Sequence, residues 1–287
     1  MGTVAKLRTL DRRRPYETAK QTLRSLLPQA VLNWREARYF GKYGEVEMHL
    51  LEFLCRRDRD AIDVGANYGG YVHFLRRYAQ RVFAYEPMPE FARLLQFKFP
   101  RDVMVDSTAL SDRVGEAELY MPVIDGVTAT GCSTISADAS AAYQAHRVIT
   151  VRTNRLDNVY SGTAGFIKID VEGHEQAVLD GAIDTIGRCQ PRILVEIDER
   201  LSPGGLARAK AFFAKLGYRG YYVRAGRLEN IEQFSLADMQ NPSNTPNMTA
   251  TLRERPRVES YINNFIFLPP GEPDATVHRI SEHLARL

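Results

Sequence analysis

At 287 residues, 44% hydrophobic and 25% charged, the chain has the size and composition of one soluble α/β domain with a large core. Its net charge of +3 at pH 7 gives no argument for a nucleic-acid partner, and no apolar run nears the roughly 20 residues that span a bilayer. Cys55, Cys132 and Cys189 are odd in number, far apart and without a Cys-x-x-Cys pair, which points to a reduced, cytoplasmic compartment and away from a structural disulfide or thiolate metal site.

Residues 1–44 read as a polar, basic N-terminal extension, helical or irregular, interrupted by Pro28, Gly41 and Gly44. Lys6, Arg8, Arg12, Arg13 and Arg14 concentrate its charge, and no apolar signal-peptide core accompanies them. A solvated tail is favoured there over contact with a membrane surface or an acidic partner. Trp34, Tyr39, Phe40 and Tyr43 form an aromatic cluster expected to pack on the domain, with the mouth of a ligand site as the alternative. Residues 45–57 carry Val46, Met48, Leu50, Leu51, Phe53 and Leu54 at the spacing of an amphipathic helix.

The stretch Ala61-Ile62-Asp63-Val64-Gly65-Ala66-Asn67-Tyr68-Gly69-Gly70 reads as a strand, a glycine turn and a helix start. Backbone N–H groups face a nucleotide-like ligand in that geometry. Gly65 and Gly69 are expected to allow a sharp turn and to let the ligand approach the backbone with no Cβ in the way. The loop is Asp-x-Gly-x-x-x-Gly and not the dinucleotide fingerprint. An acid before the first glycine would repel a pyrophosphate but suits a ligand with an ammonium group, such as S-adenosyl-L-methionine. The next apolar run, 81–85, ends in Glu86-Pro87. Glu86 lies 21 residues after Gly65, close to the roughly 20-residue offset of a ribose-binding acid.

Strands and helices then alternate: helix 69–79, helix 89–98, strand 102–106, strand 165–170, helix 174–186, strand 192–197, helix 204–216 and strand 218–223. The pattern implies crossover units and a parallel sheet covered on both faces. A last strand, 261–268, follows a long loop at 239–250 and is read as antiparallel, near the sheet edge. Segment 107–160 departs from the alternation. Its short strands at 117–123 and 148–153 enclose a polar loop, 125–146, read as a β-insertion or lid, with a floppy connector as the other reading.

The run Gly165-Phe-Ile-Lys168-Ile-Asp170-Val-Glu172-Gly-His174-Glu175 is a second strand, turn and helix start. Asp170, Glu172, His174 and Glu175 crowd the carboxyl end of a central strand, where open parallel sheets bind ligands. Glu175 is explained by the preference of acids for helix N-termini. Lys168 shares a strand face with Asp170 and needs an acidic partner there, either Asp170 or Glu196.

Together these motifs resemble the FkbM-type family of S-adenosylmethionine-dependent methyltransferases over about residues 45–270, joined by Ala109-Leu110-Ser111-Asp112 and Asn264-Phe-Ile-Phe-Leu268-Pro269. The resemblance implies a Rossmann-like class I methyltransferase fold: a mostly parallel seven-stranded sheet, helices on both faces and an antiparallel last strand. It leaves 271–287 as a helical tail. It further implies O-methylation of a hydroxyl on a sugar, glycan or natural product, with S-adenosyl-L-homocysteine as product. Carried over by motif, Asp63, Gly65, Ala66, Asn67 and Gly69 hold the methionine end, Glu86 and Pro87 the ribose, and Ser107 to Leu110, with Ala109, the adenine edge. Asp170 borders the same site. Ser107 stands where the family often has Asn, which removes the basis for a side-chain contact to adenine.

An alcohol needs a base as the methyl transfers. His174 is the first candidate, because imidazole titrates near neutrality. Asp170 or Glu172 is second, either directly or through a bound Mg²⁺, the less favoured route. An N- or C-methyltransferase would share the whole cofactor half. A non-catalytic nucleotide-binding module leaves Asp170, Glu172 and His174 unexplained, and a NAD-dependent oxidoreductase lacks its Gly-x-Gly. The acceptor and the oligomeric state are not legible.

Overall fold

Strand β1 (Asp60–Val64) is buried along its whole length, as a central strand covered on both faces must be. In the computed structural model, which describes residues 27–124, 126–245, 253 and 261–287, the strands that follow are β2 (Val82–Tyr85), β3 (Val103–Asp106), β4 (Ala109–Leu110), β5 (Gly115–Ile124), β6 (Val127–Thr128) and β7 (His146–Asn154). They continue as β8 (Ala164–Ile169), β9 (Arg192–Glu196), β10 (Arg219–Arg224), β11 (Arg227–Asn230) and β12 (Asn264–Leu268). Helices longer than one turn are α1 (Gln29–Tyr43), α2 (Val72–Tyr78), α3 (Pro89–Lys98), α4 (Glu175–Asp180), α5 (Ile183–Cys189), α6 (Gly205–Lys215) and α7 (Asp274–Leu284).

Eight strands form one sheet in the order β11-β10-β12-β9-β8-β1-β2-β3. Neighbours from β3 to β9 run parallel, while β12 is antiparallel to both β9 and β10. Without β11 this is the seven-stranded class I methyltransferase arrangement, Rossmann-like with one reversed strand. The eighth strand is an addition the sequence reading lacks. It folds back from β10 through Ala225 and Gly226, both at positive φ, the conformation of a tight hairpin. The period of two along each strand sorts the core into two layers. Ile62, Val64, Ile167 and Ile169 face the layer with Leu179, Ile186 and Phe213. Ala61 and Phe166 face the layer with Leu51, Val72, Leu75 and Leu95. Polar Asp63 and Lys168 share the second side and are register partners.

Three expectations change in detail. The helix over 174–186 is two helices, and at the break Gly181 passes the carbonyl of Ser111 so closely that a Cβ there would sit 1.9 Å from its oxygen. The helix over 45–57 is a 3₁₀ turn, Val46–Leu50, followed by one α-turn, Leu51–Leu54. That combination turns Met48, Leu50, Leu51 and Leu54 inward together. Residues 29–43 form one continuous helix through Gly41. It is fixed to the domain by Glu36, which meets Lys98 Nζ at 2.6 Å and His73 Nε2 at 3.2 Å. The basic residues Lys6 to Arg14 and most of the loop beyond 245 lie outside the described residues.

Segment 107–160 builds a second, four-stranded sheet, β4-β7-β5-β6, whose long β5–β7 ladder is antiparallel. Residues 126–146 between them are organised and not a floppy connector: Tyr120 and Thr134 exchange backbone hydrogen bonds at 2.8 and 3.0 Å. C-terminal α7 buries Ile280 and Leu284 against the layer on the α1 side. Among the described residues, no helix is long and apolar enough to cross a membrane.

Candidate active site

The carboxyl ends of β1, β2 and β8 meet at a cleft lined by Gly65, Glu86, Pro87, Ala109, Asp170, Glu172 and His174. These are seven of the residues singled out in the sequence. Asp63, Ala66, Asn67, Gly69 and Ser107 are not among its walls. Thr108 stands in place of Ser107, with its hydroxyl donating to Asp106 Oδ1 at 2.7 Å. The wall is completed by Leu119 from β5 and by Thr130, Gly131, Ser133, Thr134 and Ile135, a turn inside the 125–146 segment read from the sequence as a β-insertion or lid, though no motif singled out these residues. The strand pairing brings them back over the cleft.

Gly65 has φ +80, and a Cβ on it would lie 1.8 Å from the carbonyl oxygen of Asp170. Gly69 has φ +85 and backs onto Leu95 and Phe99. Both sit at a positive φ, as the sharp turn requires, and protein atoms already press on the place a Cβ would take. Gly65 N–H donates to Tyr85 O at 2.9 Å, joining the loop to β2.

Three buried acceptor atoms around this loop have no donor among the described residues: both carboxylate oxygens of Asp63 and Oδ1 of Asn67. Asp63 is 1% exposed, so the missing donors are a real cost. Burial raises its pKa to about 7, against the pull of the Lys168 ammonium. Asn67 sits at φ +48, a conformation Asn tolerates, and its backbone N–H donates to Glu86 Oε2 at 2.7 Å. Met88 N–H donates to Glu86 Oε1 at 2.9 Å. Burial lifts Glu86 to about 7 even so. Each of its oxygens keeps a lone pair for a further donor.

Of the two partners open to Lys168, the structure takes Asp170, at 2.7 Å. Lys168 also lies over the ring of Tyr71. Burial works against its charge, but Asp170, Glu45, Asp63 and Glu196 outweigh it and hold the pKa up. Beyond Asp170 the chain turns at Glu172, φ +48, and Gly173, φ +92. Gly173 is pinched between Ala139 of the inserted segment and Leu201 after β9. Burial, reinforced by Asp170 and Glu175, puts the Glu172 pKa well above the usual carboxylate range. Glu175 has a structural task, accepting the Gly173 N–H at 2.6 Å.

His174 Nε2 lies 2.9 Å from Ser111 Oγ, and that hydroxyl donates to Asp112 Oδ1 at 3.0 Å. With its hydrogen on Asp112, Ser111 accepts from Nε2–H, the tautomer that leaves Nδ1 bare. Burial lowers the His174 pKa, with Asp112 opposing and Arg113 assisting.

Burial also lifts Glu175 to about 7 and Glu47 to about 8. Asp63, Glu86, Glu175 and Glu47 therefore keep protons in the fold that the unfolded chain releases near pH 4–5. Stability is expected to fall as pH rises from about 5 to about 8. Glu47→Gln should remove its share, raising stability at pH 8 over the wild type by on the order of 3 kcal/mol with little change at pH 5. Calorimetric melting of both proteins across that range reads this directly, and a flat wild-type profile would show these carboxyls to be solvated.

A glycine-turn cleft at the carboxyl end of a parallel sheet, acid-lined and roofed by an inserted sheet, defines a nucleotide-type site on a class I methyltransferase scaffold. The chain belongs to the FkbM methyltransferase family: the model of the methyltransferase FkbM domain matches residues 63–220. Among solved structures, the methyltransferase FkbM of Methylobacillus flagellatus is similar over 89% of this chain at 15% identity and a TM-score of 0.46. This chain spans 59% of that protein's length. An O-methyltransferase of Bacillus cereus, solved with SAH, is 12% identical over 84% of this chain and 91% of its own, TM-score 0.41. An rRNA methylase of Streptococcus thermophilus is 8% identical over 78% and 93%, TM-score 0.36. Comparison with curated proteins gave no match.

Proposed function

We propose that this protein is an S-adenosyl-L-methionine-dependent O-methyltransferase acting on a hydroxyl of a sugar, glycan or natural product. The observation that carries the cofactor is the set of three buried acceptors without donors among the described residues, Asp63 Oδ1, Asp63 Oδ2 and Asn67 Oδ1. A cationic ammonium group supplies donors to all of them, whereas a dinucleotide's pyrophosphate would bring only more acceptors. Asp63 and Asn67 hold the methionine end, Glu86 takes the ribose hydroxyls with its remaining lone pairs, and Thr108 to Leu110 border the adenine. Family membership supports the same reading.

When bound, the cofactor supplies a methyl group already activated on a sulfonium. The protein's own part is placement and proton removal. The turn Thr130–Ile135 closes over the cleft and keeps water from it. His174, neutral because it is buried, takes the acceptor's proton on Nδ1 while Ser111 fixes its ring. Asp170 is engaged by Lys168 at 2.7 Å, and burial disfavours the charged form of Glu172, so neither is as free to take a proton as His174. Among the described residues, no group of three or more acids, histidines and cysteines is set to hold a metal ion.

Glu86→Ala removes a paired, charge-assisted acceptor and is expected to weaken S-adenosyl-L-homocysteine binding by roughly 2–3 kcal/mol. Calorimetry checks it: unchanged affinity would take Glu86 out of the site. Titration with S-adenosyl-L-methionine against NAD tests the cofactor class, and methyl-label transfer onto a panel of hydroxylated compounds tests the acceptor class.

A further inference from the structure

The exposed face of α1 carries Val31, Trp34, Arg35, Arg38 and Lys42, a single stripe at helical spacing. Trp34 is 58% exposed and Val31 39%, and Arg38 lies over the Trp34 ring. The opposite face is committed to the domain through Ala37, Glu36 and Asn33, the last donating to Lys98 O at 2.8 Å. The helix is thus held rigidly with its aromatic and cationic residues outward. Two adjoining surface concavities continue the stripe and add Arg77, and Glu52 is the one acidic side chain among the described residues lining them. Glu52 Oε1 in turn lies 3.7 Å from His283.

Charge is distributed to match. Residues 1–44 contain ten Lys and Arg against three acids, a balance of +7, so the chain's total of +3 leaves −4 for the remainder. An exposed tryptophan and valine among arginines, on a helix fixed to a folded domain, is the pattern of an interfacial helix: the rings enter the headgroup layer and the cations meet anionic lipid. Nucleic acid would use the cations but has no need of Val31 and Trp34 standing out of the same turn.

We infer that α1 docks the protein on the surface of an anionic phospholipid bilayer through Trp34, Arg35 and Arg38. Glu36 and Tyr68 O both take hydrogen bonds from Lys98, the latter at 2.8 Å. The docking helix is therefore tied to the glycine loop of the candidate active site. The inference does not depend on the reaction catalysed there.

Trp34 is the only tryptophan in the chain, so its fluorescence reports on this face alone. Vesicles of phosphatidylcholine with about one third phosphatidylserine should shift its emission to the blue, phosphatidylcholine alone should not, and salt should reverse the shift. Each cation neutralised should lower partitioning roughly fivefold, so the Arg35→Gln, Arg38→Gln double variant should bind roughly 25-fold more weakly. Both residues are exposed, and an unchanged melting curve verifies the fold. No shift with the anionic vesicles overturns the proposal. So does vesicle binding by flotation that leaves Trp34 emission and the double variant unaffected, which would assign docking to residues 1–26. A shift produced by a DNA duplex and not by vesicles overturns it in favour of nucleic acid.

Discussion

Gly65→Ala is expected to lower the melting temperature by roughly 4–16 °C and to abolish cofactor binding. Two costs combine. At φ +80 an alanine takes a left-handed conformation that costs on the order of 1 kcal/mol or more. Its Cβ would also lie 1.8 Å from the Asp170 carbonyl oxygen, which is backbone and has no rotamer by which to retreat. Either β1 or β8 must move, at a further cost of about 1–3 kcal/mol. For a chain of this size each kcal/mol lowers the melting temperature by roughly 2–4 °C. The shift would separate Gly65 from Tyr85 O and move Asn67 away from Glu86, so the acceptors would no longer converge. Gly69→Ala is the comparison. Its φ is similar, but its Cβ meets the ends of the Leu95 and Phe99 side chains, at 2.7 and 3.1 Å, which have room to yield. Its loss should be smaller. Equal melting of Gly65→Ala and wild type would show that the two strand ends are not in contact.

Much of this site was legible because its parts are local in sequence. Asp63 to Gly69 and Lys168 to His174 each run from strand to turn to helix, so apolar runs and glycines mark them without knowledge of the fold. Residues made by pairing are different. Thr130 to Ile135 reach the cleft because β5 and β7 form a ladder and fold the intervening turn back. The departure of 107–160 from alternation marks an insertion or lid there, but nothing in that small, polar stretch says which of its residues reach the cleft. At its break Gly181 passes Ser111, far away in the chain, and the helical pattern of 174–186 runs through it unmarked. The hairpin of β10 and β11 turns on Ala225-Gly226, whose alanine at φ +47 is not a residue from which a tight turn is read. The glycines of the loop are legible from the turn they make, but the contact of Gly65 with Asp170 is tertiary and has no local mark. Strand alternation narrows the partner of Lys168 to Asp170 or Glu196, and the structure takes Asp170.

His174→Ala is expected to reduce turnover by roughly 10²–10⁴-fold while leaving S-adenosyl-L-homocysteine affinity near wild type, measured on an acceptor found by methyl-label transfer. The argument rests on the ring's surroundings. Its Nε2 is held by Ser111, whose own hydrogen goes to Asp112, so the neutral imidazole presents a bare Nδ1. Burial keeps it neutral, placing the acid limb of the kcat profile below the ordinary histidine value of 6.5. Ser111→Ala should therefore leave the ring in place but free its tautomer, lowering kcat several-fold and moving that acid limb, with KM for the cofactor unchanged. A purely structural Ser111 would change melting and not the pH profile. The rival assigns proton removal to Asp170 or Glu172 and leaves His174 to order the turn. It is identified by near-normal turnover in His174→Gln together with a dead Asp170→Asn. If Mg²⁺ carries the hydroxyl instead, a chelator should stop turnover and added Mg²⁺ restore it. The His174 assignment requires turnover unaffected by chelation, lost in both His174→Ala and His174→Gln, and an acid limb that shifts when Ser111 is replaced.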